Sequence, residues 1–237
     1  MHFTLLTLFA EMFPGPLGVS IAGKALQKGL WSYDVVDIRE FGFGKFKQVD
    51  DDPYGGGTGM VMRPDVLGQA IESIDHQHSK LVYMSPRGKR FDQQMAYNWV
   101  DHGNVSIVCG RYEGIDERVI EHYNIEEVSM GDVILSGGEM AALMAMDACV
   151  RLVDGVISKE SALLDESFGQ NADYAGLLEY PLYTRPLEWK SCEVPEVLTS
   201  GNHKKIAQWR LDQAKKVTKL RRPDLWASYE RKDELLD

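Results

Sequence analysis

The residues best suited to chemistry in this 237-residue chain gather at glycine turns that follow short apolar runs. Gly110-Arg111-Tyr112-Glu113-Gly114 comes directly after the apolar run 105–108, and Asp116 stands where an N-cap would open a helix running to Tyr123. Glycine lets backbone approach a ligand closely and turns free N–H groups toward it. Met130-Gly131-Asp132-Val133-Ile134-Leu135-Ser136-Gly137-Gly138 repeats the arrangement, with an apolar run between glycines and a long helix opening at Glu139. Tyr83-Met84-Ser85-Pro86 ends a further strand in a turn. Each turn would serve equally well as an ordinary connection. Three that converge at one sheet edge would occupy the place where open α/β sheets bind small ligands. The spacing is not G-x-G-x-x-G and no Gly-Lys-Ser/Thr follows, which excludes a dinucleotide fingerprint and a P-loop.

Other polar groups are less specific. Asp147 and Arg151 lie four apart on the long helix, a spacing that suits a surface ion pair. Asp165-Glu166-Ser167-Phe168 reads as a solvated acidic stretch, weak evidence for a general base. The six histidines are scattered, without Ser/His/Asp or metal-ligand spacing. Cys109, Cys149 and Cys192 form an odd set without a C-x-x-C pair, so neither a disulfide framework nor a zinc site is expected, and a reducing cytoplasm fits.

These candidates must be held by an α/β layered domain with a mainly parallel sheet, because strand-like and helix-like patterns alternate through the first 150 residues or so. Strands are expected at 2–8, 33–38, 80–84, 105–108 and 133–135, and helices at 20–28, 64–73, 93–101, 117–123 and 139–153. The segment 41–63, with Gly55-Gly56-Gly57-Thr58-Gly59 among charges, has no periodic apolar face and is expected to be a long loop. A polar linker at 158–176 precedes a small, mainly helical module at 177–237, with a helix from 203 to 220 and Pro223 stopping the next turn. The first 13 residues are apolar but lack a basic start and soon meet Glu11, so they read as a buried strand and not as a signal peptide or membrane span.

Composition is that of a globular chain, 44% hydrophobic and 26% charged, which excludes collagen, coiled coil and global disorder. The net charge of −10 argues at first against a nucleic-acid partner. Residues 1–200, however, hold 16 basic and 30 acidic side chains, while residues 201–237 hold 10 basic and 6 acidic. In that tail Lys205, Lys215, Lys216 and Lys219 would face outward from a helix whose apolar set includes Ile206, Trp209, Leu211, Ala214 and Val217. The pattern suits an RNA surface and equally a plain solvated helix face.

Five segments in order, 8–13, 49–57, 109–118, 131–139 and 180–186, resemble the bacterial tRNA guanine-N1 methyltransferase family that modifies position 37 beside the anticodon. The resemblance runs nearly end to end. It implies a SPOUT-type α/β domain (1–157) with a deep trefoil knot, the linker, and a helical tRNA-binding domain, working as a cytoplasmic homodimer whose sites are shared between subunits. It implies S-adenosylmethionine held by Tyr83, Met84, Ser85, Pro86, Gly110, Tyr112, Glu113, Met130, Gly131, Asp132, Val133, Ile134, Leu135, Gly137 and Gly138, and a tRNA substrate with guanine at 36 and 37. It also raises a magnesium requirement, with no ligand set visible.

Guanine N1 carries a proton and is a poor nucleophile until a carboxylate removes it. Negative charge then grows on O6, where a fixed cation would favour the transition state. The resemblance places Arg151 in the assisting role. The family's base is an Asp in an Asp-Ser-Phe motif, whereas this chain reads Glu166-Ser167-Phe168; Glu166 is favoured, with the adjacent Asp165 as alternative. The stretch 169–174 is extra to the family's usual linker. A methyltransferase of another RNA base, or a non-catalytic RNA-binding protein, would share many of these features, and only the second would ignore S-adenosylmethionine. A phosphate-cradling hydrolase lacks its Lys and metal carboxylates.

Overall fold

In the computed structural model, five parallel strands form the central sheet in the order β2-β1-β6-β5-β7. These are β1 (His2–Thr7), β2 (Ser32–Asp37), β5 (Lys80–Arg90), β6 (Asn104–Val108) and β7 (Glu126–Ser129), with a short antiparallel pair, β3 (Asp50–Asp51) and β4 (Val61–Met62), outside it. Residues 1–158, 163–169, 171 and 174–233 are described. The chain divides into two compact units, Met1–Ser158 and Lys159–Asp237.

In the first unit a parallel sheet must be covered on both faces, and β1 shows how the sequence achieves it. Its Leu6, with Leu8 just past its end, joins Tyr83 and Val108 under helices α2 (Pro64–Glu72) and α4 (Glu117–Tyr123). Phe3 is fully buried and meets Trp31 edge to face, and the Trp31 indole donates to the Ala22 carbonyl of α1 (Ser20–Gln27). Helices α3 (Gln93–His102) and α5 (Glu139–Val150) lie together, the buried Cys149 thiol against the Ala96 carbonyl. Asp92 and Asp116 cap α3 and α4 through their carboxylates.

Three expectations change. Val133-Ile134-Leu135 is not a strand: Gly131, at φ +116°, turns the chain, and the three side chains are 57%, 84% and 45% exposed. The fifth strand is instead β7, whose paired glutamates hide its apolar alternation. Glu126 is neutralised by Lys80 and Glu127 by Arg87, an arrangement an edge strand tolerates. The long helix ends at Val150, leaving Arg151 as its C-cap residue. The segment 41–63 is largely loop, interrupted by β3 and β4.

In the second unit Leu177, Tyr180 and Ala214 form a small core with Tyr174, Leu211, Trp226 and Tyr229. The helix His203–Arg221 runs as expected, but Pro223 opens the helix Pro223–Asp233 where a stop was anticipated. Proline's fixed φ and missing N–H suit the first helical position. Of the expected linker, 159–162, 170, 172 and 173 lie outside the described residues, as do 234–237.

Candidate active site

Two glycine loops and the middle of β5 close around one cavity of about 320 Å³ in the first unit; Tyr83-Met84-Ser85-Pro86 does not end its strand in a turn, since β5 runs on to Arg90 through a break in register after Met84. Tyr83, Met84, Ser85 and Pro86 reach it from β5, and Gly110, Tyr112 and Glu113 from the turn after β6. Met130, Gly131, Val133, Ile134, Leu135, Gly137 and Gly138 come from the loop before α5. Of the residues expected to hold a cofactor, Asp132 does not line the cavity and is exposed. Arg111, Ser129, Ser136 and Ala141 line it without having been singled out.

Glycine is required where loops meet. A Cβ on Gly110 would stand 2.7 Å from the Tyr83 ring, and one on Gly138 would stand 2.8 Å from the Cys109 Cα. The Gly138 N–H donates to the Gly110 carbonyl at 2.9 Å, tying two of the loops together. Burial, and then the nearby Glu127 carboxylate, hold the Tyr83 hydroxyl above the ordinary phenol range, so it stays neutral beside the cavity.

Beneath the loops lies a buried polar network. Thr7 donates to Glu139 Oε1 at 2.8 Å, and Arg111 Nε lies 3.1 Å from the same oxygen and 3.0 Å from Oε2. The Oε1 contact has hydrogen-bond geometry, and Oε2 accepts no hydrogen bond among the described residues. Arg111 Nη1 donates to the Ser136 carbonyl at 3.2 Å, and the guanidinium stacks 4.3 Å over the Phe9 ring. One arginine therefore joins β1, the loop after β6 and the loop before α5. Its place inside the Gly110–Gly114 motif was the available signal, but a sequence does not show that Arg111 points inward.

Arg151 lies elsewhere in the first unit. With Asp147 it lines a larger groove of about 610 Å³, whose apolar wall includes Val19, Ile21, Met140 and Met144, all more than half exposed. Asp165 and Glu166 belong to the second unit and are half-buried. They sit in a turn closed by Gly169 N–H to the Glu166 carbonyl at 2.9 Å and by Asn171 N–H to the Leu164 carbonyl at 3.2 Å. The Asn171 amide donates to Asp165 Oδ1, and Ser167 Oγ accepts from the Glu179 N–H at 2.9 Å. Burial, followed by Glu166 and Asp165, pushes the Glu179 carboxyl up. Glu179 thus feels both carboxylates of the Asp165-Glu166 turn.

In that unit Lys215 Nζ lies 5.4 Å from the Tyr229 ring centroid and Lys219 Nζ 5.2 Å from that of Trp226. Lys215 is half-buried against the helix pair, while Lys204, Lys205, Lys216 and Lys219 stand exposed. Among the described residues no helix is long and apolar enough to cross a membrane.

Residues 1–228 match the family model described as tRNA (Guanine-1)-methyltransferase TrmD. A protein of Ruegeria sp. (strain TM1040) named tRNA (guanine-N(1)-)-methyltransferase is 53% identical over 229 residues, covering 95% of this chain and 92% of that protein. Proteins of the same name from Rickettsia akari (strain Hartford) and Anaplasma marginale (strain Florida) are 52% and 53% identical over 227 residues, covering 95% of this chain and 97% and 94% of theirs.

Proposed function

Because the chain belongs to the tRNA (guanine-1)-methyltransferase family, we propose that it is an enzyme that methylates N1 of a guanine in tRNA, at position 37 in a tRNA carrying guanine at both 36 and 37. The observation that carries the reading is the cavity closed by two glycine loops and the Tyr83–Pro86 stretch of β5. Its volume lies within the range of small-ligand sites. Its residues suit S-adenosylmethionine: Val133, Ile134 and Leu135 offer apolar surface to a nucleobase, and Glu113 presents a carboxylate to a positive centre. Bound there, S-adenosylmethionine supplies an electrophilic methyl group.

The chain's own residues handle the proton and the charge. Glu166 takes the proton from guanine N1, its carboxylate lying close enough to Glu179 to be felt there. Asp165, one oxygen of which is held by Asn171, is the alternative base. Arg151 stabilises the charge that develops on O6. Among the described residues no group of three or more His, Cys, Asp or Glu stands together as metal ligands.

The remainder of the reading is a cytoplasmic homodimer in which Arg151 and Glu166 of one subunit serve the cavity of the other, with a trefoil knot holding the cofactor loops and residues 177–237 gripping tRNA. The exposed apolar groove beside Arg151 supports a self-association surface. In a parallel sheet, β6 returning between β1 and β5 is compatible with a threaded path.

The test is transfer of label from tritiated S-adenosylmethionine to a tRNA transcript with guanine at 36 and 37, beside a transcript with guanine 37 replaced. Label on the first alone is expected. Glu166→Gln is expected to lower turnover at least 100-fold with cofactor binding retained; label at another base, or a fully active Glu166→Gln, would overturn the corresponding assignment.

A further inference from the structure

The long loop of the first unit carries a feature that the cavity does not use. Phe43 and Gln48 pair as a tight hairpin, N–H to carbonyl in both directions at 3.0 and 2.9 Å, and Gly44 at φ +67° and Lys47 at φ +48° form its turn. The tip displays Lys45-Phe46-Lys47, all exposed, with the Phe46 ring 88% open to solvent. Tyr54, on the glycine stretch that follows, is 99% exposed. An exposed phenylalanine at a hairpin tip contributes nothing to a core, and here two cations flank it.

The base of the same loop is fixed. Val49 and Met62 are buried, and Arg63 stacks over Phe43 while pairing with Asp51 at 2.9 Å and Asp65 at 2.8 Å. The ion pairs of the loop thus sit at its base, away from the tip lysines. The returning limb bonds to the cavity loop, with Glu113 N–H donating to the Met60 carbonyl at 3.0 Å and Met62 N–H to the Gly114 carbonyl at 2.9 Å. Rings and cations therefore project from a support built onto one wall of the cavity.

We propose that the 43–48 hairpin, with Tyr54, is a contact site for single-stranded RNA, in which Phe46 and Tyr54 stack on unpaired bases and Lys45 and Lys47 meet the backbone phosphates. The occupant is the substrate strand next to the methylated base, so the inference rests on the function proposed above. Charge complementarity selects it, since the sequence outside the basic tail is acidic and the tip sets two cations beside an open ring. Aromatic stacking tolerates any base and the lysines any phosphate, so the site adds affinity and not sequence choice.

The test measures the tRNA KM against salt for the full chain, with cofactor affinity followed by calorimetry. Lys45→Ala with Lys47→Ala is expected to reduce the slope of log KM against log salt by about 1.4, roughly 0.7 for each lost phosphate contact on a single strand. Phe46→Ala is expected to raise the tRNA KM about five-fold or more, Phe46→Trp to restore it, and neither to change cofactor affinity. An unchanged slope in the double variant, or a Phe46→Trp no better than Phe46→Ala, would overturn the proposal; so would binding of a protein partner that depends on the tip while tRNA kinetics do not. If the parent labels no tRNA at all, the underlying function fails instead, and filter binding of tRNA by parent and double variant decides the hairpin separately.

Discussion

Glu139 shows how much a single carboxylate can hold. It is fully buried at the start of α5, where a sequence shows only an acid in the first turn of a helix, a placement explained by the helix dipole alone. Its actual partners come from β1 and from the glycine loop, 132 and 28 residues away. Glu139→Ala leaves the Arg111 guanidinium, 19% exposed, without its counter-ion and the Thr7 hydroxyl without an acceptor. Removing one partner of a buried pair costs about 3–5 kcal/mol. Urea unfolding is expected to show a loss of about 3 kcal/mol or more, with Glu139→Gln losing less because an amide oxygen still accepts from Thr7. A loss under 1 kcal/mol would mean that Arg111 and Thr7 find other partners. The proposal for Glu166 comes from its place before Ser167-Phe168; its carboxylate neighbour Glu179 was not legible in the sequence, since the two lie thirteen positions apart.

At the scale of elements, the strands and helices whose apolar period is undisturbed were legible: β1, β6, α2, α3 and α4 lie where the pattern puts them. What defeated the pattern was context. β7 hides behind two glutamates that lysine and arginine neutralise from the next strand, whereas Val133-Ile134-Leu135 looks like a strand because a cavity wall needs apolar side chains too. The glycines of the loops were visible, and the reason for each emerges only from what a Cβ would strike. Gly138→Ala would press a methyl group against the Cys109 backbone and part the two loops bonded through Gly138 and Gly110. Overpacking of this kind costs about 1–3 kcal/mol. Calorimetry is expected to show cofactor affinity lowered at least ten-fold with the far-ultraviolet circular dichroism of the parent, and an unchanged affinity would show that the loops can yield without opening the cavity.

For the molecule as a whole, charge is distributed by task. The basic tail was legible in the sequence, but its division of labour was not: Lys215 lies half-buried over Tyr229, whereas Lys219 stays exposed beside Trp226, so one lysine fewer than the pattern suggests stands clear for phosphate. The groove of Val19, Ile21, Met140 and Met144 tells a parallel story for apolar surface, since the open face of α5 carries methionines beside the Asp147 and Arg151 expected at its surface. Met144→Arg sets a charge in that face. Light scattering is expected to show the parent with the mass of a dimer and the variant with half of it, methyl transfer falling in step. A monomeric parent, or a dimeric variant, would remove the groove from the proposed assembly.

The cysteines, finally, divide the chain's sensitivity to oxidants. Cys109 and Cys149 are fully buried, and burial holds both thiols above their ordinary range, Cys149 at about 12, with the Glu139 carboxylate adding to the upward shift of Cys109. Thiolate is the reactive form, so both are protected at neutral pH. Cys192 is exposed, paired with Trp189 across a short hairpin of the second unit. A thiol reagent is expected to take up one equivalent on the native protein and two more after unfolding; rapid labelling of three would contradict the burial. Peroxide or air should therefore cross-link stored protein through Cys192 alone, in covalent pairs that Cys192→Ser abolishes.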